Sequence, residues 1–351
     1  MKKISKLIVG ILFSGLVAST SFAGEMTVTG GATATYTISG AEQSSGKNIG
    51  ISNELDFSAN GELDNGYTWN YQVQLDGDNT SNDDTQLVIG TNYGTIGIYV
   101  TEGGLSTELH GVGAMGPGFD YASPATFQTG YDVSSYSNLQ YHLPADLLPY
   151  GITAKVGYAP DLNDTTQLSA KGTSGLPATQ NKGRNLTMIQ LGAAPVDGLS
   201  VKGDIAQTDG ETGIGTSGST GGEEGISANL NAKYTMGPVS VGYVKGGYQP
   251  AVASGALTQY ENNMVGIQYD VNDSISVSYN VDKSEKQVTQ SIVTGAAGTT
   301  KVNTEMEQQT ISVAYTTGGA TIGITQADVD NSDYTVGKKE KMSVISLGIS
   351  F

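Results

Sequence analysis

The sequence predicts an all-β protein, a 16-stranded antiparallel barrel that spans a membrane. Three observations support this prediction. Sixteen segments alternate between apolar and polar residues, which is the period of a β-strand because successive side chains point to opposite faces. The connections between them alternate strictly between short and long, as they would if every strand ran up and down. Forty-nine glycines and nineteen tyrosines favour strands and turns over helices.

Residues 1–23 have the pattern of a secretory signal peptide. Three lysines precede an apolar run, 7–17, and small residues stand at Ser21 and Ala23, the positions that a signal peptidase reads. A retained membrane helix would need a longer apolar run. We therefore expect a cleaved signal peptide at 1–23 and a single transmembrane barrel domain at 24–351.

The stretch GELDNGYTWNYQVQLDGDN, 61–79, shows the alternation most clearly. Tyr67, Trp69 and Tyr71 are aromatic, and polar residues separate them, so a strand here has one apolar and one polar face. The same pattern recurs to the last residue. Strands are predicted at 26–39, 51–63, 67–76, 85–91, 95–101, 133–143, 151–159, 185–194, 199–207, 226–236, 238–248, 262–270, 274–282, 306–316, 320–328 and 341–351.

The connections fall into two classes. Short connections contain turn formers such as Asn-Gly and Gly-Pro, which indicate tight hairpins. Long connections are rich in Gly, Ser, Thr and Asp. The short ones are 64–66, 92–94, 144–150, 195–198, 237–238, 271–273 and 317–319, and the long ones are 40–50, 77–84, 102–132, 160–184, 208–225, 249–261, 283–305 and 329–340.

The apolar faces are expected to contact lipid. Sixteen strands are too many for one open twisted sheet, and closing the sheet removes the edges that lipid does not tolerate. A barrel of that size encloses water, so the polar faces would line a lumen. Aromatic residues near strand ends would form girdles at the headgroups. These residues are Tyr67, Trp69, Tyr158, Tyr248 and Tyr269.

The charge balance excludes one class of partner. The chain has 34 Asp and Glu against 17 Lys and Arg; three of those lysines lie in the signal peptide, so the mature charge is 14 − 34 = −20. Nucleic-acid binding needs basic residues that displace phosphate counterions, so no nucleic-acid partner is expected. The chain has no cysteine, which excludes disulfides and thiolate metal sites.

The chain resembles the general trimeric porins of the Gram-negative outer membrane. The resemblance rests on the first strand EMTVTGGATATYTIS, the hairpin GELDNGYTW and the closing strand KMSVISLGISF, which ends in the aromatic Phe351. It covers the whole mature length. It implies long extracellular loops, short periplasmic turns, an inward-folded third loop, a homotrimer, and contact with outer-membrane lipid and lipopolysaccharide. It also implies passive diffusion of small hydrophilic solutes and ions, and no enzymatic activity. In that family the terminal strand and its aromatic end resemble the signal that the outer-membrane insertion machinery reads.

In that family the third long loop narrows the pore. Here that loop, 101–132, contains four acids and no Lys or Arg; the acids are Glu102, Glu108, Asp120 and Asp132. Folded inward, they would line a pore constriction and favour cations. Alternatively, these acids face external water.

The family usually places a basic cluster on the wall across from this loop. Strand alternation instead points acids inward on the second strand and lysines inward from later strands. The predicted pore-wall residues are Glu54, Asp56, Lys155, Lys202 and Lys233. This departure from the family pattern argues for a stronger preference for cations.

No cofactor, metal site or catalytic group is predicted. The run DGDNTSNDD, 76–84, fails the EF-hand pattern because Ser81 stands where glycine is needed. Binding of Ca²⁺ or Mg²⁺ at the acidic outer loops, or between a loop and lipopolysaccharide phosphates, stays open. His110 and His142 lack metal-ligand spacing.

Two other functions are left open. One is a substrate-selective channel with a specific site for a cationic or polar solute, and the other is a surface-exposed structural or adhesive protein with no pore. Selective channels often carry aromatic residues along the lumen. By alternation, only Tyr99 and Tyr136 are expected to point inward, which counts against a selective channel.

Overall fold

The computed structural model describes residues 26–41, 44–76, 84–107, 123–160, 162, 185–209, 224–251, 257–289 and 301–351. Sixteen strands form one closed antiparallel barrel in which each strand pairs with its neighbours in the chain and the last pairs with the first. This confirms the predicted fold class. The strands are β1 (Met26–Ala41), β2 (Ser44–Glu62), β3 (Thr68–Asp76), β4 (Thr85–Thr91), β5 (Gly94–Val100), β6 (Asn138–His142), β7 (Thr153–Ala159), β8 (Asn185–Ala193), β9 (Leu199–Asp209), β10 (Ile226–Met236), β11 (Val239–Gln249), β12 (Leu257–Asn272), β13 (Ile275–Thr289), β14 (Lys301–Thr317), β15 (Ala320–Asp330) and β16 (Lys339–Ser350).

The two ends of the chain close the barrel. Strand β1 pairs with β16 from Gly31 opposite Ser350 to Ala41 opposite Glu340. One residue further, the backbones of Gly30 and Phe351 exchange two hydrogen bonds of 2.9 and 3.0 Å. The ring of strands therefore has no open edge at this seam, which is the condition for a sheet in lipid.

The two faces of the barrel have opposite chemistry. On β13, the ring of Tyr279 points outward and is 43 % exposed, whereas the next residue, Asn280, points inward and is 1 % exposed. On β14, Ile311 is 50 % exposed and Thr310 is fully buried. Exposed apolar groups outside and buried polar groups inside are the reverse of a soluble sandwich, which confirms the expected orientation of the strands.

The short connections lie where they were predicted. In the hairpin between β2 and β3, the N–H of Gly66 donates to the carbonyl of Leu63 (2.8 Å) and the N–H of Tyr67 donates to Asn65 Oδ1 (3.0 Å). Gly66 has a φ of 79°, a conformation that glycine adopts without strain. The tight turn reflects the Asn-Gly pair in the sequence.

Three predicted long connections are wrong in extent. Strand β12 already begins at Leu257, within the predicted connection 249–261, and β13 and β14 occupy 283–289 and 301–305 of the predicted connection 283–305. Residues 40–50 were expected to form a loop, but β1 and β2 stay paired as far as Ala41 opposite Ser44. The stretch SSGKNIG lost the apolar alternation because it continues the hairpin past the apolar belt, where no lipid selects apolar side chains.

A second correction concerns the start of β6. Residues 133–143 were expected to form one strand, but Val133–Ser135 is a 3₁₀ turn and β6 begins at Asn138. Asp132 caps this turn by accepting a hydrogen bond from the N–H of Ser134 (3.2 Å), and an acceptor at that position favours a turn over an extended strand.

Helical structure in the described residues is limited to short 3₁₀ turns. They are Val133–Ser135, Pro149–Gly151 and Ser332–Tyr334. None of the helices among these residues is long and apolar enough to cross a membrane.

Towards the long connections, the outer face of β11–β16 changes from apolar to charged. Four lysines there pair with an acid on a neighbouring strand, and such exposed pairs contribute at most about 1 kcal/mol each. These pairs therefore add little to the stability of the barrel, but they mark where its apolar belt ends. The pairs are Lys245–Glu261, Lys283–Glu307 (2.7 Å), Lys341–Asp328 (2.7 Å) and Lys339–Asp330 (3.0 Å).

Candidate functional site: the lumen and its inner loop

The connection between β5 and β6, residues 101–137, is the inner loop. The structure describes 101–107 and 123–137 of it. Both described limbs bind side chains that point inward from the barrel wall, so these limbs lie inside the lumen. For these two limbs the contacts agree with the expected inward-folded third loop.

The outgoing limb is fixed on β9. Asp204 is 6 % exposed, and its Oδ2 accepts hydrogen bonds from the N–H and the hydroxyl of Thr107, both 2.6 Å long. Asn229 on β10 donates to Asp204 Oδ1 (3.2 Å), and Asn231 donates to the carbonyl of Thr107 (3.1 Å). A buried carboxylate with several donors is a strong anchor, because bonds to a charged acceptor contribute about 1.5–3 kcal/mol each.

The returning limb crosses three further strands. A serine hydroxyl and two backbone groups of the loop bond to wall residues on β14, β12 and β10, in that order. The limb therefore runs back across half of the wall towards β6. The three bonds are Ser123 Oγ to Gln308 Oε1 (2.9 Å), Asn262 Nδ2 to the carbonyl of Gln128 (3.0 Å), and the N–H of Tyr131 to Ser227 Oγ (3.1 Å).

Asp132 joins the two limbs. Its carboxylate accepts hydrogen bonds from the N–H groups of Leu105 (2.9 Å), Ser106 (3.0 Å) and Ser134 (3.2 Å). Asn138 assists by donating from Nδ2 to the carbonyls of Glu102 and Val133, both at 3.0 Å. The root of the loop is thus closed by hydrogen bonds between its own two ends.

Apolar contacts hold both limbs against the wall. Near the root, Leu105 and Val133 pack on inward-facing side chains of β7–β9; the wall residues are Ala159, Leu186, Met188 and Ala206. On the returning limb, Ala125 and Phe127 pack on β11, β12, β14 and β15; those wall residues are Val244, Met264, Met306 and Val329. Burying such side chains stabilises the attachment by about 1.5–3 kcal/mol for each large one.

These inward apolar residues were missed by sequence reasoning, although a signal was present. Leu186 and Met188 occupy inward positions of β8, where the alternation calls for polar residues. Both are fully buried. An apolar residue on the lumen side of a wide barrel has no partner in the wall, so it predicts a segment folded against that face.

The structure describes two of the four predicted constriction acids, Glu102 and Asp132. Glu102 is half-buried at the start of the loop and accepts a hydrogen bond from the N–H of Gly103 (3.1 Å). Asp132 is committed to the three backbone donors at the root. Glu108 and Asp120 lie outside the described residues, as does His110. A constriction lined by these four acids stays a prediction.

The predicted wall acids lie on β2. Glu54 and Asp56 share the inward register of Gly31 and Thr29 on β1. Asp56 Oδ1 accepts hydrogen bonds from the amides of Gln72 (3.0 Å) and Gln74 (3.1 Å) on β3. We call Glu54 and Asp56 the acidic wall.

The predicted wall lysines lie on the other side of the ring. Lys155, Lys202 and Lys233 are at inward positions of β7, β9 and β10. Strands β2 and β10 stand eight apart in the ring of sixteen, so they face each other across the lumen. Lys202 is two residues from Asp204, the anchor of the inner loop, so the lysines lie on the side of the barrel to which the loop is attached. The acidic wall lies on the opposite side and faces the loop.

Four tyrosines form a continuous row inside the barrel, which we call the tyrosine arc. Tyr131 of the inner loop meets Tyr248 of β11 edge to face, with ring centroids 5.3 Å apart. Tyr248 stacks on Tyr260 of β12 at 5.8 Å, and Tyr260 contacts Tyr334 at 5.2 Å. Lys286 Nζ lies 5.7 Å from the centre of the Tyr334 ring. The arc follows the end of the barrel that carries the long connections.

The tyrosine arc corrects two expectations. Tyr248 was expected in an outer girdle, but it shares the inward register of Ser227 and is in contact with the inner loop. The expectation that only Tyr99 and Tyr136 point inward is also wrong. Tyr260 lies two residues before the predicted start of its strand, and Tyr334 lies in a 3₁₀ turn, so alternation could not place either residue.

Tyr334 joins the arc to the inner loop. Its hydroxyl accepts a hydrogen bond from the N–H of Gln128 (3.3 Å) and lies 2.8 Å from the hydroxyl of Ser284 on β13. Burial raises the pKa of Tyr334 above its usual value, so the hydroxyl stays protonated at neutral pH.

No family model matches the chain. No curated protein matches it either. Solved structures match along almost the whole length. In vitro folded OmpT, an outer membrane protein of Vibrio cholerae, is 14% identical with a TM-score of 0.62, over 95% of this chain and 100% of that chain. An anion-selective porin from Comamonas acidovorans is 14% identical with a TM-score of 0.61, over 93% and 100% of the two chains. The outer membrane channel DcaP of Acinetobacter baumannii is 13% identical with a TM-score of 0.60, over 95% and 99%.

At these identities the likeness concerns the fold. The feature that this likeness concerns is the closed antiparallel barrel of sixteen strands, which in this chain has an apolar outer belt and a polar lumen. Such an apolar belt around a closed sheet is a surface for a membrane. The chain therefore has the 16-stranded barrel fold of the outer-membrane porins.

Proposed function

We propose that the protein is a porin of the Gram-negative outer membrane, a water-filled channel through which small hydrophilic solutes and ions diffuse passively, with a preference for cations. It works as a homotrimer embedded in lipid and lipopolysaccharide, and it catalyses no reaction. The observation that carries the proposal is the inner loop, whose two described limbs lie in a closed polar lumen and are bonded to its wall at Thr107 and at Tyr131.

A narrowed lumen is what a sieve requires. A barrel of sixteen strands is too wide for side chains to fill, so a permanent restriction needs a segment of chain across the opening. The anchors on β9, β10, β12 and β14 hold that segment at several points. An adhesive protein without a pore would have no use for a polar interior of this kind.

The cation preference rests on charge. The mature chain carries −20, the inner loop contains acids and no basic residue between 101 and 132, and the acidic wall faces the loop. Carboxylates that line a narrow passage raise the local concentration of cations and oppose anions. The lysines on the loop side act in the opposite direction. The fold alone does not determine which ions the channel prefers, since an anion-selective porin shares this fold.

Conductance in planar bilayers tests the proposal. The purified protein should insert as open channels, and the reversal potential in a KCl gradient should have the sign of cation selectivity. Absence of ion-conducting channels would overturn the pore, whereas open channels that select anions would overturn only the charge preference. Recovery of the protein in buffer without detergent would favour the surface-adhesive alternative.

We place the contacts with lipopolysaccharide at the lysine–acid pairs on the outer face of β11–β16. These lysines stand just beyond the apolar belt, at the height of lipid phosphates, and each has an acidic neighbour that could share a divalent cation with such a phosphate. The acidic run 76–84, where Ca²⁺ or Mg²⁺ binding was left open, lies mostly outside the described residues.

A substrate-selective channel is the second candidate. The tyrosine arc favours it, because four half-buried rings in a water-filled mouth are a recognition surface that simple diffusion does not need.

A further inference from the structure

We propose that the tyrosine arc is a binding site for a neutral sugar at the mouth of the channel. The inference rests on the proposed function, because the arc faces the inside of the barrel and can take up a solute only if the lumen is open. It names the class of solute that the second candidate function leaves unspecified.

The arc is built as one continuous surface. Tyr248 and Tyr260 are direct partners in the register of β11 and β12, and Tyr260 is in turn the partner of Lys286 on β13. Tyr131 and Tyr334 extend the row on either side from loop segments. All four rings are half-buried, so each is held by the protein and keeps part of its surface towards the lumen.

The outer two rings are fixed by their hydroxyl groups. Tyr131 accepts a hydrogen bond from the N–H of Ala251 (2.9 Å), and Tyr334 accepts one from the N–H of Gln128 (3.3 Å). The site is therefore formed before a solute arrives. A preformed surface binds more tightly than a mobile one because no side-chain freedom is lost on binding.

The chemistry of tyrosine suits a sugar ring. Each side chain offers an apolar face and a polar hydroxyl group, which match the C–H face and the hydroxyl rim of a pyranose. A row of rings can follow more than one sugar unit, whereas a single ring could not. A small hydrated ion would make far less apolar contact with such a surface than a sugar ring does.

Charge selects a neutral solute. Lys286 already lies over the Tyr334 ring and repels a second cation from that end of the arc. An anion would enter against the −20 charge of the mature chain, so neither sign of charge is favoured at the arc.

The test uses maltotriose as a neutral sugar, with glucosamine and gluconate as charged sugars of each sign. In planar bilayers, maltotriose should block the ion current of the full-length protein in a saturable way, and more strongly than either charged sugar. In Tyr248→Leu and Tyr260→Leu, the blocking constant should weaken about fivefold, measured relative to the open current of the same variant. Tyr260→Phe keeps the ring and should keep most of the block.

The matched control is Tyr243→Leu, on the same strand as Tyr248 but on the outer face. It should conduct and bind as the wild type does. Open channels that maltotriose never blocks would overturn the sugar site and leave the channel intact, and so would stronger block by glucosamine or gluconate. Absence of any current would count against the proposed function itself.

Discussion

Thr107 donates two hydrogen bonds to one carboxylate oxygen of Asp204, from its N–H and from its hydroxyl, and both are 2.6 Å long. This contact joins residues 97 positions apart and sets where the outgoing limb of the inner loop meets the wall. We therefore expect the width of the passage to depend on Asp204, a residue outside the predicted constriction.

We expect Asp204→Ala to loosen the inner loop. The change removes two bonds to a charged acceptor, a loss of about 3–6 kcal/mol in local attachment. Single-channel recordings should show a larger conductance and more current noise, and the variant should admit larger polyethylene glycols. Asp204→Asn keeps one acceptor oxygen and should give an intermediate result. The control is Ile205→Ala, the outward neighbour on β9; an Asp204→Ala channel identical to this control would mean that the anchor does not set the width.

The acidic wall should account for part of the proposed cation preference. A unit charge about 10 Å from the pore axis gives about 0.4 kcal/mol in water, and screening at 0.1 M salt reduces this to about 0.15 kcal/mol. Removing Glu54 and Asp56 together should therefore lower the cation-to-anion permeability ratio about threefold, because each charge acts on both ions with opposite sign. The reversal potential of Glu54→Gln/Asp56→Asn should move towards zero.

The opposite change should come from the lysine side. Lys202→Gln removes a positive charge beside the loop anchor and should shift the reversal potential away from zero. Asp330→Asn on the outer face is the control, since it changes charge without facing the lumen. In 1 M salt, where the Debye length falls to about 3 Å, all of these shifts should shrink. Equal shifts from the outer and inner acids would contradict a role for the wall.

The strand pattern could be predicted because, within the apolar belt, lipid selects an apolar residue on the outer face and water selects a polar residue at the next, inward position. Tyr279 and Asn280 on β13 show that rule. Beyond the belt the rule ends, which is why residues 44–50 looked like a loop and why Tyr260 was left unplaced.

The site was harder to predict because its contacts join distant parts of the chain. Nothing near Asp204 in the sequence indicates that it holds Thr107, and Asp132 looked like a pore charge although its carboxylate serves three backbone groups. Only the apolar inward residues, such as Met188, carried a readable signal.

Gly157 on β7 tests the packing at the root of the loop. A Cβ added there would lie 2.9 Å from Leu105 Cδ1 and 3.1 Å from Val133 Cγ1, so Gly157→Ala must push the root away from the wall. We expect a destabilisation of about 1–3 kcal/mol and an altered conductance. A Cβ added at Gly247 has no atom within 4 Å, so Gly247→Ala should leave the stability and the conductance unaffected. Unfolding in urea and bilayer recordings measure the two effects, and a Gly157→Ala channel that matches the Gly247→Ala channel in both would refute the packing.

Substitution of Phe351 can distinguish closure of the barrel from assembly of the protein in the cell. Both hydrogen bonds of its seam with Gly30 join backbone groups, so Phe351→Ala keeps them. Folding of the purified variant into detergent, followed by heat-dependent gel mobility, should therefore stay close to the wild type. In cells, the amount assembled in the outer membrane should fall, because the resemblance to porins implies that the terminal aromatic ring is read by the insertion machinery. Phe351→Tyr keeps an aromatic end and is the control. If Phe351→Ala failed equally in detergent, the ring would be needed for the seam itself, and if it assembled normally in cells, the implied signal would lie elsewhere in β16.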